Sequence, residues 1–444
     1  MEDFAELVRL ALELPKGYIS KKTIKGKQYY YLQYFENGKK VSKYIKSSEL
    51  SKIKEQLSKR DEVEEELFKI ESTSKRLAVL DKRSRELTGY VMSEDEIVAE
   101  YKQGQLVYLD ENKCPLLLKR THNLSLFLSS RALDNSRINS RLLKRYLRIA
   151  HESDEMVALY AHGASITDTY WFKALGSRLH YKDVKFNRDH YADIVLKGKI
   201  DYFSNKLFLN PQLTLIGSYE KCWKLINNEW WMYKKGTDKE YFSELFVAKL
   251  CKYFGFDTAN YEYDDGFIRS KNFATKYIFE PMSYLMDNDD IYEHVFNLLY
   301  KMDKTLAKDY LKIIFMDTLT NNVDRHNENY GFLRDKKTGK IVQMAPNFDN
   351  NMALISRNSL NENCAKDGFV GIFVKLLQKN KEASSLMKEI RIRELCKKDI
   401  GSLINDIPIH VDEDITNPLE KRFNYLMNKI KTIAQLTRRN CDNC

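Results

Sequence analysis

Asp324-Arg325-His326-Asn327-Glu328-Asn329, followed twenty residues after Asn329 by Asp349 within Ala345-Pro346-Asn347-Phe348-Asp349-Asn350, is the stretch on which the reading of this chain turns. Phosphoryl transfer asks little covalent help of a protein. It needs a carboxylate that orients and deprotonates the acceptor hydroxyl, and oxygen ligands that hold magnesium against the phosphates. Asp324 has the type and placement for the first task, Asn329 and Asp349 for the second. Tyr330–Arg334 and Lys340–Met344 are two short strand-like runs, and Asp335–Gly339 between them has the composition of a hairpin turn. Asn329 and Asp349 therefore fall at the two open ends of one hairpin, and their carboxylate and amide oxygens suit magnesium better than zinc. A plain turn built from Asn, Asp and His is the bland alternative. Against it stands the largely apolar, helix-length run Tyr310–Leu319, which would bury a helix beneath the loop and hold it rigid.

Upstream, Leu213–Ser218 reads as a strand-like run ending at Gly217, and Trp223–Ile226 resumes it. The turn between could lay backbone N–H groups over phosphates, although a lone glycine is more often only a turn. Trp230–Gly236 is an aromatic strand ending in Lys234 and Lys235, and Tyr241–Cys251 has apolar residues at helical spacing and stops at Gly255. A strand lysine facing phosphates, paired with a helix carboxylate, is a recurring kinase arrangement, and Lys234 with Glu244 fits it.

On these residues the chain resembles the HipA-type kinases, bacterial serine/threonine kinases that share a protein-kinase-like fold with phosphoinositide kinases. Thr167–Trp171, the glycine turn Gly217–Lys221, the Asp324–Asn329 loop and the Ala345–Asn350 segment carry the resemblance, which spans about residues 115 to 400 and leaves residues 1–75 outside. It implies an α+β fold, bilobal and protein-kinase-like, with a β-rich small lobe and a helical large lobe. It also implies ATP and Mg2+ as cofactors and a protein carrying Ser or Thr as substrate. The implied setting is a toxin-antitoxin pair with an antitoxin-like partner. Carried over residue by residue, Gly217, Ser218 and Lys221 form the phosphate turn, with Lys234 and Glu244 behind it. Lys276 and Tyr277 lead into the hinge that holds adenine, and Asn329 and Asp349 hold the metal. Thr214, with Ser218 nearby, stands where such kinases accept an inhibitory autophosphorylation. Asp324 is the catalytic carboxylate. His326 is a second catalytic candidate, able to take a hydroxyl proton as neutral imidazole or to brace the loop.

At 444 residues, 43% hydrophobic and 12% aromatic, the chain can bury a sizeable core and suits two to three domains. The divisions expected are 1–75, a basic three-stranded β module plus amphipathic helix; 76–195, a subdomain packing on the kinase; 196–280, the small lobe; and 281–444, the helical large lobe. Leu116–Leu118 is expected as a buried strand, Asn135–Ile149 as an arginine-rich helix, and Asp168 as a helix or turn cap. No apolar run is long enough to span a membrane, and no signal peptide is evident. Seven scattered cysteines fit a reducing cytoplasm, with export as an effector left open. Cys441-x-x-Cys444 reads as a frayed tail rather than half a metal site.

Residues 16–60 hold thirteen Lys plus Arg against three Glu, a surplus equal to the +10 of the whole chain. Three strands with a turn at Asn37-Gly38, then a charged helix over Ser47–Ser72, would present a basic, aromatic face to nucleic acid or simply to solvent. Three function classes follow. A HipA-type protein kinase leads. A phosphoinositide kinase is kept open by Arg325, where many HipA-type loops carry Gly. A non-catalytic nucleic-acid-binding regulator comes third, disfavoured by intact Lys234, Asp324, Asn329 and Asp349.

Overall fold

The computed structural model describes residues 7, 10–11, 13–24, 27–36, 39–72, 87–189, 191–198, 210–286, 291–356, 360 and 364–441. The Asn37-Gly38 turn, the division near residue 75 and the end of the Cys441-x-x-Cys444 tail lie outside them. Three strands, β1 (Tyr18–Ile24), β2 (Lys27–Glu36) and β3 (Lys39–Ile45), pair antiparallel in that order. Helix α1 (Leu50–Ser72) follows, with Arg60 donating to the carbonyls of Ala11 and, at 2.7 Å, Leu14.

A second antiparallel sheet, ordered β6-β5-β4-β7, joins β4 (Gly89–Ser93), β5 (Glu96–Lys102), β6 (Gln105–Tyr108) and β7 (Tyr170–Ala174). Between β6 and β7 come four short helices, α2 (Leu116–Thr121), α3 (Leu124–Ser129), α4 (Ile138–Tyr146) and α5 (Asp154–Leu159); α6 (Tyr181–Val184) and α7 (Ala192–Lys197) follow β7. The expected strand at Leu116–Leu118 is thus corrected to a helix: Pro115 sits at its N-cap, and all three leucines are buried on so short an element. Asp168 accepts from the Tyr170 amide at 2.9 Å, a turn cap as anticipated, and also pairs with buried Arg131 at 2.8 Å.

The third sheet, β10-β11-β9-β8, comprises β8 (Lys221–Ile226), β9 (Glu229–Lys234), β10 (Tyr261–Asp264) and β11 (Phe267–Lys271), with α8 (Asp238–Phe254) between β9 and β10. Helix α8 opens on a Thr237/Glu240 capping box and closes on Gly255, whose φ of 71° suits the left-handed C-cap. The fourth sheet pairs β12 (Tyr277–Pro281) with β13 (Gly331–Asp335) and β14 (Ile341–Met344). Helices α9 (Tyr292–Met302) and α10 (Lys304–Thr320) precede its hairpin, and α11 (Gly368–Lys379), α12 (Lys381–Glu389), α13 (Lys397–Asn405) and α14 (Thr416–Cys441) follow it. The α+β expectation holds, with antiparallel sheets ahead of a helical C-terminal part. Helix α10 is the central post. Leu311, Ile314, Phe315 and Leu319 are fully buried, as expected of a helix apolar around most of its circumference.

Arg334 on β13 ties two sheets together. It pairs with Glu280 of β12 and donates to Cys114 O at 3.0 Å and Tyr170 Oη at 2.9 Å, while Glu280 accepts from the Leu116 amide at 2.7 Å. Removing one member would strand the other charge in the interior. Among the described residues no helix is long and apolar enough to cross a membrane.

Candidate active site

The Asp324–Asn329 loop leaves α10 through Asn321, a left-handed C-cap with φ 54°, and ends where β13 begins. Asn322 accepts from the Asp324 amide at 3.3 Å, and the Asn329 amide nitrogen donates to Asp324 O at 2.8 Å. With Nδ2 so used, Oδ1 is the Asn329 atom suited to a cation. Burial raises the Asp324 carboxyl above its ordinary value, and the nearby Asp349 adds to this against the partial opposition of His326 and Lys234. His326 is exposed, and its Nδ1 accepts from the Glu328 amide at 3.3 Å, a loop-bracing bond.

Arg325 is the residue whose position sequence reasoning missed. Its side chain is 3% exposed and forms a two-pronged ion pair with fully buried Asp317 of α10, Nε to Oδ2 and Nη2 to Oδ1, each at 2.9 Å. The same guanidinium donates to Asn329 O at 2.7 Å, Phe348 O at 2.6 Å and Asn350 Oδ1 at 2.8 Å. One planar fork thus fastens the Asp324 loop to the Asp349 segment.

Lys234, at the end of β9, reaches Glu244 Oε1 at 3.5 Å and forms an ion pair with Asp349. Burial alone would lower its ammonium, but Asp349 and Glu244 outweigh that and hold it raised. Burial would likewise raise Asp349; Lys234 and Lys221 overcome it and hold the carboxyl below its ordinary range. Glu244 is 1% exposed, and its Oε2 accepts from the Asn350 amide at 2.8 Å. Tyr261 bonds the Glu244 side chain and accepts from the Asp349 amide at 2.9 Å. Asp349 itself has φ 59°, a left-handed conformation that Asp tolerates and that these bonds hold in place. Phe348 completes the support by packing against Phe273 and Phe279, with ring centroids 5.3 and 5.6 Å away.

The glycine turn differs from expectation. Leu213–Ser218 is not strand-like: Asn210 caps a 3-10 turn over Pro211–Thr214, and the strand starts only at Lys221. Gly217 has φ 103°, so a side chain at this position would strain the backbone, and its Cβ would displace the end of the Lys221 side chain. Desolvation pushes the Lys221 ammonium down to about 8, with Asp349 opposing. Ser218 is exposed, whereas Thr214 is buried with its hydroxyl 3.5 Å from Pro211 O. Tyr219 lies with its ring 4.7 Å from Lys234 Nζ and donates to Glu240 Oε1 at 2.7 Å. Buried Arg137, at the head of α4, holds the turn from behind through Leu215 O at 2.6 Å and Tyr219 O at 3.2 Å. Nothing local in the sequence marks that role, since its partners lie some 80 positions away.

Lys276 and Tyr277, expected to lead into the hinge, lie at the entry to β12. Lys276 is exposed, and the Tyr277 amide donates to Ala274 O at 3.1 Å, closing a turn before β12.

The model of a family described as a domain of unknown function (DUF6788) matches residues 2–55, the basic N-terminal module. No curated protein matches the chain. Among solved structures it is similar to the Helicobacter pylori proinflammatory kinase CtkA, at 20% identity over 50% of this chain and 95% of that one, with a TM-score of 0.39. It is also similar to HipA of a Shewanella oneidensis MR-1 toxin-antitoxin system, solved with HipB and operator DNA, at 13% identity over 78% of this chain and 99% of that one, TM-score 0.48. Both are distant; the chemistry available to the site rests on its own geometry.

Proposed function

We propose that the protein is an ATP- and magnesium-dependent serine/threonine kinase of HipA type, acting in the cytoplasm as the toxin of a toxin-antitoxin pair. The observation that carries the kinase reading is the junction of Lys234, Glu244 and Asp349 with the Asp324–Asn329 loop, locked through Arg325. In this reading Lys234, oriented by Glu244, meets the nucleotide phosphates beneath the Gly217–Lys221 turn. Asp349 and Asn329 would hold magnesium, a hard cation suited to their oxygens. A magnesium ion held by these oxygens would supply neutralisation of charge on the phosphoryl oxygens. Asp324 takes the acceptor hydroxyl's proton, and its raised pKa makes it a better base than an exposed aspartate.

The test is transfer of labelled γ-phosphate from ATP and magnesium by the native protein and by Asp349→Ala, offered a bacterial lysate and phosphoinositide vesicles side by side. Label in a protein band with the native enzyme alone is the expected result. Label in lipid would replace the acceptor class, and no label anywhere, the enzyme included, would remove the kinase reading. Autophosphorylation is part of the same proposal. Thr214 or Ser218 is expected to gain a phosphate, read by mass spectrometry after incubation with ATP and magnesium. Buried Thr214 can accept one only if the turn leaves its present position, so modification there would also report movement of the turn.

A further inference from the structure

The N-terminal sheet has two unlike faces, and its register identifies them. Directly paired residues of antiparallel strands project to the same side. Ser20, Tyr31 and Tyr44 are in line across the three strands, as are Tyr18, Gln33 and Ser42, with Lys22 opposite Tyr29. The opposite face carries Leu32 and Ile45, 8% and 2% exposed, along with the exposed Lys21 and Lys43, while Gln33 on the tyrosine face is itself buried. Tyr18 and Tyr44 on the outer face are 52% and 50% exposed.

Three of the outer tyrosines, Tyr29, Tyr31 and Tyr44, are in ring contact. The Tyr44 ring centroid lies 5.7 Å from that of Tyr31 and 6.2 Å from that of Tyr29, with the ring planes inclined at 65° and 51°. Rings tilted in this way meet edge to face rather than face to face. Lys22 Nζ sits 5.0 Å from the Tyr31 centroid. No carboxylate occurs among the described side chains of this face, which consist of tyrosine, lysine, serine and glutamine. Scattered exposed aromatics are ordinary, but two exposed and two half-buried tyrosines on one face of a sheet, within a segment of net charge +10, form a patch.

We propose that this face is a stacking platform for single-stranded nucleic acid. Unpaired bases supply π-faces for Tyr18, Tyr29, Tyr31 and Tyr44, and the phosphates between them supply the counter-charge for Lys22 and the lysines of the surrounding segment. A duplex satisfies only half of this arrangement: its phosphates meet the lysines, while its bases are stacked on each other and leave the tyrosines without partners. RNA and single-stranded DNA share the required chemistry. The platform lies outside the candidate active site, so it stands or falls independently of the kinase reading.

The experiment is fluorescence anisotropy of the full-length protein with labelled oligonucleotides of about 12 nucleotides, within the span of one stacking domain. RNA, single-stranded DNA and duplex DNA of the same sequence are compared. Both single strands are expected to bind more tightly than the duplex, with any RNA preference assigned to contacts with the 2′-hydroxyl. Tyr44→Ala should weaken single-strand binding roughly tenfold to a hundredfold, while Tyr44→Phe, which keeps the ring, retains it. Lys22→Ala should reduce the salt dependence by about one released counterion. Circular dichroism melting of each variant separates lost contact from lost folding. Equal binding of duplex and single strand, or equal loss in Tyr44→Ala and Tyr44→Phe, would overturn the platform, since charge or local fold alone would then account for affinity. Absence of binding to every oligonucleotide would also overturn it and leave the face to a protein partner.

Discussion

Asp324→Asn is expected to lower γ-phosphate transfer by about 10²- to 10⁴-fold, the range for loss of a positioned general base, while nucleotide binding survives. It should not destabilise the fold. Burial raises the Asp324 carboxyl, so the folded protein binds its proton more tightly than the unfolded chain does. The ionised form is therefore disfavoured by folding, and the resulting destabilisation is fully present above the folded pKa and relieved as pH falls through it. Asparagine is permanently neutral and nearly the same shape, so the variant should melt at or above the native temperature at pH 7. Activity of the native enzyme should fall on acidification at a pH above that of an ordinary aspartate, as the base becomes protonated. His326→Ala should be much milder, because that ring is exposed and braces the loop through Glu328. A thermal melt, a pH–rate profile and single-turnover transfer on the three proteins check this together. If His326→Ala abolished transfer and Asp324→Asn spared it, the two roles would be exchanged.

What could be read from the sequence follows the range of each interaction. The β13–β14 hairpin, α8 with its Gly255 stop and the apolar α10 all have local signatures, and each lies where its pattern indicated. The juxtaposition of Lys234 with Glu244 was accessible for the same reason, since ten residues and one turn separate them. Two short apolar runs misled. Leu116–Leu118 and Leu213–Ser218 have too few residues for periodicity to separate strand from helix, yet each follows a helix-opening signal, Pro115 and the Asn210-Pro211 pair. The contacts that build the site were not legible. Tyr261 on the Asp349 amide, Arg137 behind the glycine turn and Arg325 across to Phe348 are tertiary contacts between residues 23 to 88 positions apart. Arg325, which kept the lipid-kinase alternative open in the sequence, is in the structure also a buried fastener.

Arg325→Met is therefore expected to have the largest effect on stability of the substitutions considered. Asp317 is 0% exposed and its partners are Arg325 and the Asn322 amide, which donates at 3.1 Å. Deleting the cation leaves a carboxylate buried with one neutral donor, a change that costs roughly 3–5 kcal/mol. The urea midpoint should drop accordingly. Arg325→Lys should recover little, because a point charge cannot serve Asp317 with two prongs and also reach Asn329 O and Phe348 O. The informative variant is the double substitution Arg325→Met with Asp317→Leu. Replacing both charges by apolar groups removes the stranded carboxylate, and buried pairs so replaced are often neutral for stability, so the midpoint should return most of the way. Transfer should not return with it. The bonds that hold Asn329 and Phe348 to one anchor are still gone, and displacement of about 1 Å in a catalytic constellation can cost on the order of 10²-fold. Stability regained without activity would separate the two duties of Arg325, charge compensation within α10 and registration of the Asp324 loop against Asp349. Activity regained together with stability would show instead that the hairpin alone sets that registration.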